Sequence, residues 1–383
     1  MTASFGEDDV RFMRRALRLA ARGAGTTRPN PMVGAVVVRA GRVLAEGFHR
    51  RPGWPHAEIE ALSRLDGRAP GATMYVSLEP CAHTGRTPPC TTALLSSGIA
   101  RVVIGVRDPN PLVNGRGIAK LRRAGIKVDV GCLEGESRAI NRAFFIWVTE
   151  RRPLVTLKVA ATWDGFIADG RPRPVAAPAW LTGPGARAAA HAMRAAHDAV
   201  LVGAGTIRAD DPRLTDRRPV GGRARAASGG PSRRQPLRVV LDGRLSSPPD
   251  AAVFRSAADA QTLVVVGTGA SAARSKALRA AGVEVAALPT VGGRFDIREA
   301  LALLAARDVQ SVLVEGGAVV HGSFVAAGVV DRVALFLAPR LLGGGIAIAA
   351  GADRSLADAL KLGPPRLRRL GDDILMEADV VSS

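Results

Sequence analysis

No apolar run of about eighteen residues occurs in the chain, so no membrane-spanning helix is expected. Cysteine is scarce: Cys81, Cys90 and Cys132 are too few for a disulfide framework. Aromatic residues make up 4%, which excludes an evident base-stacking platform. Lysine is nearly missing (Lys120, Lys127, Lys158, Lys276 and Lys361), so the net charge of +19 rests on arginine. Spread over an Ala-, Gly- and Arg-rich chain, that charge reads as compositional bias. It does not mark a nucleic-acid surface. No complete Gly-x-Gly-x-x-Gly fingerprint is present, which argues against a Rossmann dinucleotide fold. Met1 to Asp9 is polar and acidic with no apolar signal core, and a cytoplasmic location is expected.

What is present is enough for two cores: 383 residues, 47% of them apolar. Short β-branched runs alternate with helical spacings. The first block has a helix over Asp8 to Arg22 and strands at Val33 to Val38, Arg42 to Gly47, Thr73 to Leu78, Arg101 to Val106 and Lys127 to Val130. Helices are expected from about His56 to Leu65, Thr91 to Ser97 and Gly117 to Ala124, then one linking helix from Glu134 to Thr149. This alternation predicts an α/β fold with a mostly parallel sheet between helix layers. Arg151-Arg152-Pro153 marks a boundary, giving domains 1–150 and 151–383. The second block repeats the α/β pattern, with strands at Leu154 to Ala160, Ala199 to Val202, Leu237 to Leu241, Thr262 to Val266, Ser311 to Val314 and Arg332 to Ala338. Gly221 to Gln235 reads as a surface insertion, and Cys132 as a small buried core residue.

Chemistry concentrates in the first block. His56 and Glu58 open a helix, a Glu79-Pro80-Cys81 turn ends a strand, and Cys90 precedes the next helix. One imidazole and two thiolates suit zinc and leave a fourth position for water. Zinc lowers the pKa of a bound water from about 15.7 toward about 7. Glu58, too close to His56 along the chain to ligate as well, is placed to move protons. This kit is the one used for hydrolytic deamination of an amino-bearing ring carbon. Asn30, with donors and an acceptor on one amide, suits a pyrimidine edge or simply a loop turn.

The spacing narrows the class. Eight residues separate Cys81 from Cys90, where the general deaminase signature has two. The run from Glu79 to Cys90, with Pro29-Asn30-Pro31-Met32-Val33-Gly34, Pro55-His56-Ala57-Glu58, Asp108-Pro109-Asn110-Pro111 and Gly115-Arg116-Gly117, resembles the deaminase half of the bifunctional riboflavin-biosynthesis deaminase/reductases. The resemblance implies a cytidine-deaminase-like three-layer α/β/α domain. In it, one zinc is held by His56, Cys81 and Cys90, and Glu58 is the catalytic proton shuttle. The substrate is a phosphorylated diaminopyrimidinone, contacted by Asn30, His83 and Arg86.

The second block has weaker signals of its own. Gly203-Ala204-Gly205-Thr206 and Glu315-Gly316-Gly317 each follow a strand, and glycine at a helix start lets phosphate approach. With Lys158 to Gly165, Trp180 to Gly183 and Ala209 to Thr215, they resemble the family's reductase half. That half is dihydrofolate-reductase-like, uses NADPH and reduces the ribosyl side chain to ribityl. The resemblance implies cofactor contacts at Ala160, Trp180, Thr206 and Asp210. It adds the turn and helix start formed by Gly317, Ala318, Val319, Val320, His321, Gly322 and Ser323. Substrate contacts are implied at Lys158, Arg194, Leu214, Arg217 and Glu315. One departure stands out: Pro178 occupies a position where the family usually has Ser, which removes a hydroxyl and predicts a weakened reductase. The expected partners are a small phosphorylated pyrimidine and, as in the family, further copies of the chain; neither nucleic acid nor membrane is expected. The alternatives are a deaminase with an impaired or repurposed second domain, and a nucleic-acid-editing deaminase.

Overall fold

The computed structural model describes residues 4–83, 88–171, 180–218, 234–352 and 354–381. Arg86, Pro178 and nearly all of the Gly221 to Gln235 segment lie outside the described residues. The chain divides into two compact units, Met1–Arg151 and Arg152–Ser383.

The first unit has the order α1 (Glu7–Ala21), β1 (Gly34–Arg39), β2 (Arg42–Phe48), α2 (Ala57–Ser63), β3 (Thr73–Leu78), α3 (Cys90–Ser96), β4 (Arg101–Val106), α4 (Arg116–Arg123), β5 (Lys127–Val130), α5 (Glu134–Ile140) and α6 (Arg142–Glu150). The sheet order is β2-β1-β3-β4-β5. It is mixed, not mostly parallel. A tight turn at Ala40 and Gly41, both at positive φ, makes β1 and β2 an antiparallel hairpin. β1 also pairs antiparallel with β3, while β3, β4 and β5 run parallel. Side chains alternate across this sheet. Val36 and Val38 face a core with Phe12, Met13, Ala16 and Tyr75, while Ala35 and Val37 face Ala57, Ala61, Leu94, Ile118 and Leu121. Both faces are covered, so the strands read as continuous apolar runs. Cys132 is fully buried in the first of these cores.

The linking helix from Glu134 to Thr149 is in fact two helices, α5 and α6, broken at Asn141. The Asn141 side chain accepts from the Met32 N–H at 2.8 Å and donates to the Met32 carbonyl at 2.8 Å. A long-range amide pair thus overrides local helix propensity.

The second unit is built on a nine-stranded sheet. In spatial order its strands are Glu284–Leu288, Thr262–Gly267, Leu237–Leu241, Ala199–Gly203, Ser311–Val314, Leu154–Thr162, Arg332–Ala338, Asp373–Asp379 and Arg366–Leu370. The first seven are parallel and the last two antiparallel. Cores lie on both faces, one around Val155, Leu157 and Phe324, the other around Val200, Val202 and Phe254. The fold class is as expected, two α/β units. Among the described residues no helix is long and apolar enough to cross a membrane.

Candidate active sites

In the first unit three backbone breaks converge at one sheet edge. His56 is the N-cap of α2, with an extended backbone, and Glu58 stands in that helix's first turn. Cys81 follows the end of β3, and Cys90 is the first residue of α3. His56 Nδ1 lies 3.2 Å from Cys90 Sγ and 3.7 Å from Cys81 Sγ. The three donor atoms fall within 4.8 Å of one another. Tetrahedral zinc with bonds of about 2.0–2.3 Å sets its ligand atoms about 3.5–3.8 Å apart, so the donors are already close to the required spacing. Among the described residues this is the one such cluster of His, Cys, Asp or Glu. Three donors and no fourth is the ligand set of a catalytic zinc, whose remaining position takes water.

The electrostatics fit as well. The Cys90 N–H donates to Cys81 Sγ at 3.3 Å. A hydrogen bond from the Cys90 thiol, then those from His56 and the Cys90 amide, pull the Cys81 thiol well below its ordinary value. Cys90 is pushed up by its bond to Cys81 and by burial. Metal binding displaces the protons of such thiols. Glu58 is 3% exposed, and burial raises its carboxyl pKa.

Asn30 is brought to the same place. Its Nδ2 lies 3.0 Å from His49 Nε2, and His49 Nδ1 lies 3.1 Å from the Pro55 carbonyl. The His49 ring meets His56 edge-on at 5.2 Å. Burial lowers the His49 pKa, favouring the neutral ring. The neutral tautomer that donates from Nδ1 to Pro55 must accept at Nε2, so Asn30 donates there. This pairing engages the Asn30 amide nitrogen and not its carbonyl oxygen. Sequence reading leaves His49 unassigned; its only signal is position, seven residues before His56 on the far side of a Gly-Trp-Pro turn. His83 Nδ1 is buried with no hydrogen-bond partner among the described residues.

The second unit gathers Lys158, Arg194, Leu214 and Glu315. The Arg194 fork meets Glu315 with Nε–Oε1 and Nη2–Oε2 both 2.7 Å. Arg194 Nη1 also donates to the Thr215 carbonyl at 3.2 Å. Lys158 Nζ stands 4.0 Å from Glu315 Oε2. The side chains of Lys158, Arg194 and Glu315 are 18%, 14% and 7% exposed. Leu214, at φ +55° and 2% exposed, bends the chain so that Thr215 turns toward Arg194. Arg217 is exposed, and partial burial beside Arg194 and Arg213 lowers its pKa. Several cations facing one another suit an anionic group.

The cofactor candidates divide. Thr206 and Asp210 lie on the helix Ala204–Asp210, Gly317 caps the helix Ala318–Ala326, and the strands before these helices are neighbours. A Cβ at Gly317 would stand 3.8 Å from Thr206 Oγ1. At Gly203 or Gly316 it would press on Val320 at 2.7 Å or 2.6 Å. Glycine thus lets two helix starts come together with bare N–H groups, a cradle that fits a dinucleotide's phosphates. Trp180 is 55% exposed, with the Arg187 guanidinium 5.0 Å over its ring. Ala160 is half-buried on its strand. Val319 is exposed, and Ser323 donates to the Val319 carbonyl. His321 and Gly322 face the interior: His321 Nδ1 is 2.9 Å from the Ile348 carbonyl, and Gly322 packs on Ala350.

A three-donor zinc site on one α/β unit, followed by a glycine-edged phosphate cradle beside a buried cationic cluster on another, defines a metal-dependent deaminase joined to a reductase. Comparison with known proteins agrees. Residues 6–106 match the cytidine and deoxycytidylate deaminase zinc-binding region, and residues 153–376 match the RibD C-terminal domain. The riboflavin biosynthesis protein RibD of Aquifex aeolicus is 40% identical over 97% of this chain and 98% of its own. That of Escherichia coli is 36% identical over 96% and 98%. The solved Thermotoga maritima diaminohydroxyphosphoribosylaminopyrimidine deaminase/5-amino-6-(5-phosphoribosylamino)uracil reductase superposes with a TM-score of 0.81 at 38% identity, covering 98% of this chain and 99% of that one. Acinetobacter baumannii RibD gives 0.84 at 33% identity, with the same coverage. The chain belongs to the RibD family, the bifunctional deaminase/reductases of riboflavin biosynthesis. Its cofactors are zinc and NADPH.

Proposed function

We propose that the first unit deaminates diaminohydroxyphosphoribosylaminopyrimidine and the second reduces the resulting 5-amino-6-(5-phosphoribosylamino)uracil at its ribosyl carbon. The observation that carries this reading is the His56, Cys81 and Cys90 cluster with Glu58 buried beside it. His56, Cys81 and Cys90 would hold zinc, which would supply an activated water. As the water oxygen bonds to the amino-bearing ring carbon, Glu58 would take a proton from it and pass that proton to the amino nitrogen, so that the C–N bond breaks with ammonia as the leaving group and a ring carbonyl remains. Asn30, oriented by His49, accepts from the pyrimidine edge and sets its register. His83 and Arg86 meet the ribose phosphate.

In the second unit NADPH supplies the hydride. The starts of the helices Ala204–Asp210 and Ala318–Ala326 would hold the cofactor, with Thr206, Asp210, Gly317 and Trp180 as contacts. Arg194 and Arg217 hold the substrate phosphate, and Lys158, fixed by Glu315, donates toward the ribose. The proposed domain limits are 1–150 and 151–383, and the enzyme acts in the cytoplasm on small molecules, not on polynucleotides, as a homo-oligomer.

A coupled assay of ammonia release and NADPH oxidation tests the division. Glu58→Gln is expected to lose ammonia release by at least about a hundredfold, the scale of a lost acid–base group. It should still oxidise NADPH on pre-deaminated substrate. Loss of both activities in a folded, zinc-loaded variant would sink the two-site reading.

A further inference from the structure

Glu79 sits two residues before Cys81 and is 4% exposed. Its carboxylate has no ion-pair partner among the described residues. Instead it takes backbone N–H groups from the start of α4: Gly115 at 2.9 Å, Gly117 at 3.1 Å and Ile118 at 3.2 Å, with Asp108 at 3.4 Å. α4 needs this. Its N-cap is Gly115, with no side-chain cap, and its first turn holds no acid. A carboxylate from another element therefore satisfies the orphan donors.

The contact also fixes Pro80. A Cβ at Gly117 would lie 2.0 Å from the Pro80 carbonyl oxygen, so only glycine lets the helix start press against the turn. On the other side, Cys81 is tied to α3: its carbonyl accepts from the Thr91 N–H at 3.2 Å, and its sulfur accepts from Cys90. The Glu79 N–H donates to the Val106 carbonyl at 3.0 Å, completing the clamp. Glu79 and Pro80 are thus held by the α4 start, Glu79 also by β4, and Cys81 by α3.

We infer that Glu79 is a positioning residue for the metal site: by capping α4 it sets where the Cys81 sulfur meets His56 and Cys90. The inference rests on the zinc reading above and extends it. It also explains why Glu79-Pro80-Cys81 and Gly115-Arg116-Gly117, distant in sequence, occur together: one supplies the carboxylate, the other the bare amides and the missing Cβ.

The test uses the full chain, with zinc affinity measured by chelator competition and site geometry by the visible spectrum of the cobalt-substituted protein. Glu79→Gln, which turns an acceptor into a donor against those amides, is expected to weaken zinc retention about 10–100-fold, as loss of an outer partner of a ligand does. The cobalt band should change shape, and the gain in Tm on adding zinc should shrink. NADPH oxidation on pre-deaminated substrate is expected unchanged. A merely structural role would lower the apo Tm and leave the zinc increment intact, and that result overturns the inference; so does wild-type affinity with an unchanged spectrum. If Glu79→Gln does not fold, Gly117→Ala decides, because it displaces Pro80 while keeping the carboxylate: the same loss of affinity is expected, and wild-type binding refutes it. Failure of the wild type itself to bind zinc would instead remove the underlying reading of the site.

Discussion

At the scale of single residues, Glu315 shows how a buried charge is kept. Burial works against its ionised form. The Arg194 fork, then Lys158, more than cancel that penalty and hold the carboxyl down at about 2, from an ordinary 4.5. A depressed folded-state pKa means the unfolded chain binds the proton first. The stabilisation is therefore complete above about pH 4.5 and is lost as pH falls toward 2. Glu315→Gln should cost about 3–5 kcal/mol at neutral pH, because Arg194 stays buried without its partner. It should also flatten the acid dependence of urea unfolding; an unchanged slope would place the acid sensitivity elsewhere. The same variant tests Lys158. Burial lowers the Lys158 pKa and Glu315 raises it. If the protonated amine serves reduction, activity falls as pH rises through a value below the ordinary 10.5. Without the Glu315 charge, that alkaline limb should move to still lower pH in kcat/KM profiles. A limb that stays put would exclude Lys158 as the titrating group.

At the scale of elements, glycine decides how closely helices ride the sheet. α2 carries Glu58 and is capped by His56, and it lies against Gly47 of β2. A Cβ there would stand 2.3 Å from the Ala57 carbonyl oxygen and 2.6 Å from the Ala61 nitrogen. Gly47→Ala must lift the helix and should cost about 1–3 kcal/mol of first-unit stability. Ammonia release should drop further than stability alone explains, since the His56 donor moves with the helix; NADPH oxidation is the internal control. Equal losses in both activities would contradict this. Elements of this kind were legible where the signal is local. β3, β4 and β5 are short β-branched runs, and their bounds match the structure. The zinc kit was equally legible, because each ligand sits in its own short motif. What the sequence hides is convergence. The break at Asn141 depends on Met32, 109 residues away. His49 matters only because Asn30 and Pro55 fold onto its two nitrogens. The antiparallel pair Arg366–Leu370 and Asp373–Asp379 escapes notice because its outer strand is exposed and arginine-rich, with no apolar alternation to mark it.

At the scale of the whole molecule, the chain joins two chemistries that need different surroundings. Deamination needs a water held at a cation, and hydride transfer needs a site where water does not compete. Each unit has its own sheet and its own cores, which lets each site be tuned without disturbing the other. The formal charge of +19, compositional in origin, is of the sign that attracts both the phosphorylated substrate of each proposed step and the anionic NADPH. Independent sites would have a direct consequence for the overall reaction. Glu58→Gln should retain only reduction, and Lys158→Met only deamination, so neither variant alone converts the diaminopyrimidine to the ribityl product. An equimolar mixture should restore conversion, because the deaminated intermediate leaves one chain and is reduced on another. It should do so after a lag that shortens as enzyme concentration rises, the signature of an intermediate that must build up in solution. Product formation is followed together with ammonia and NADPH. A mixture that releases ammonia but never oxidises NADPH, when Glu58→Gln alone reduces supplied intermediate, would mean that the intermediate does not escape the chain that makes it.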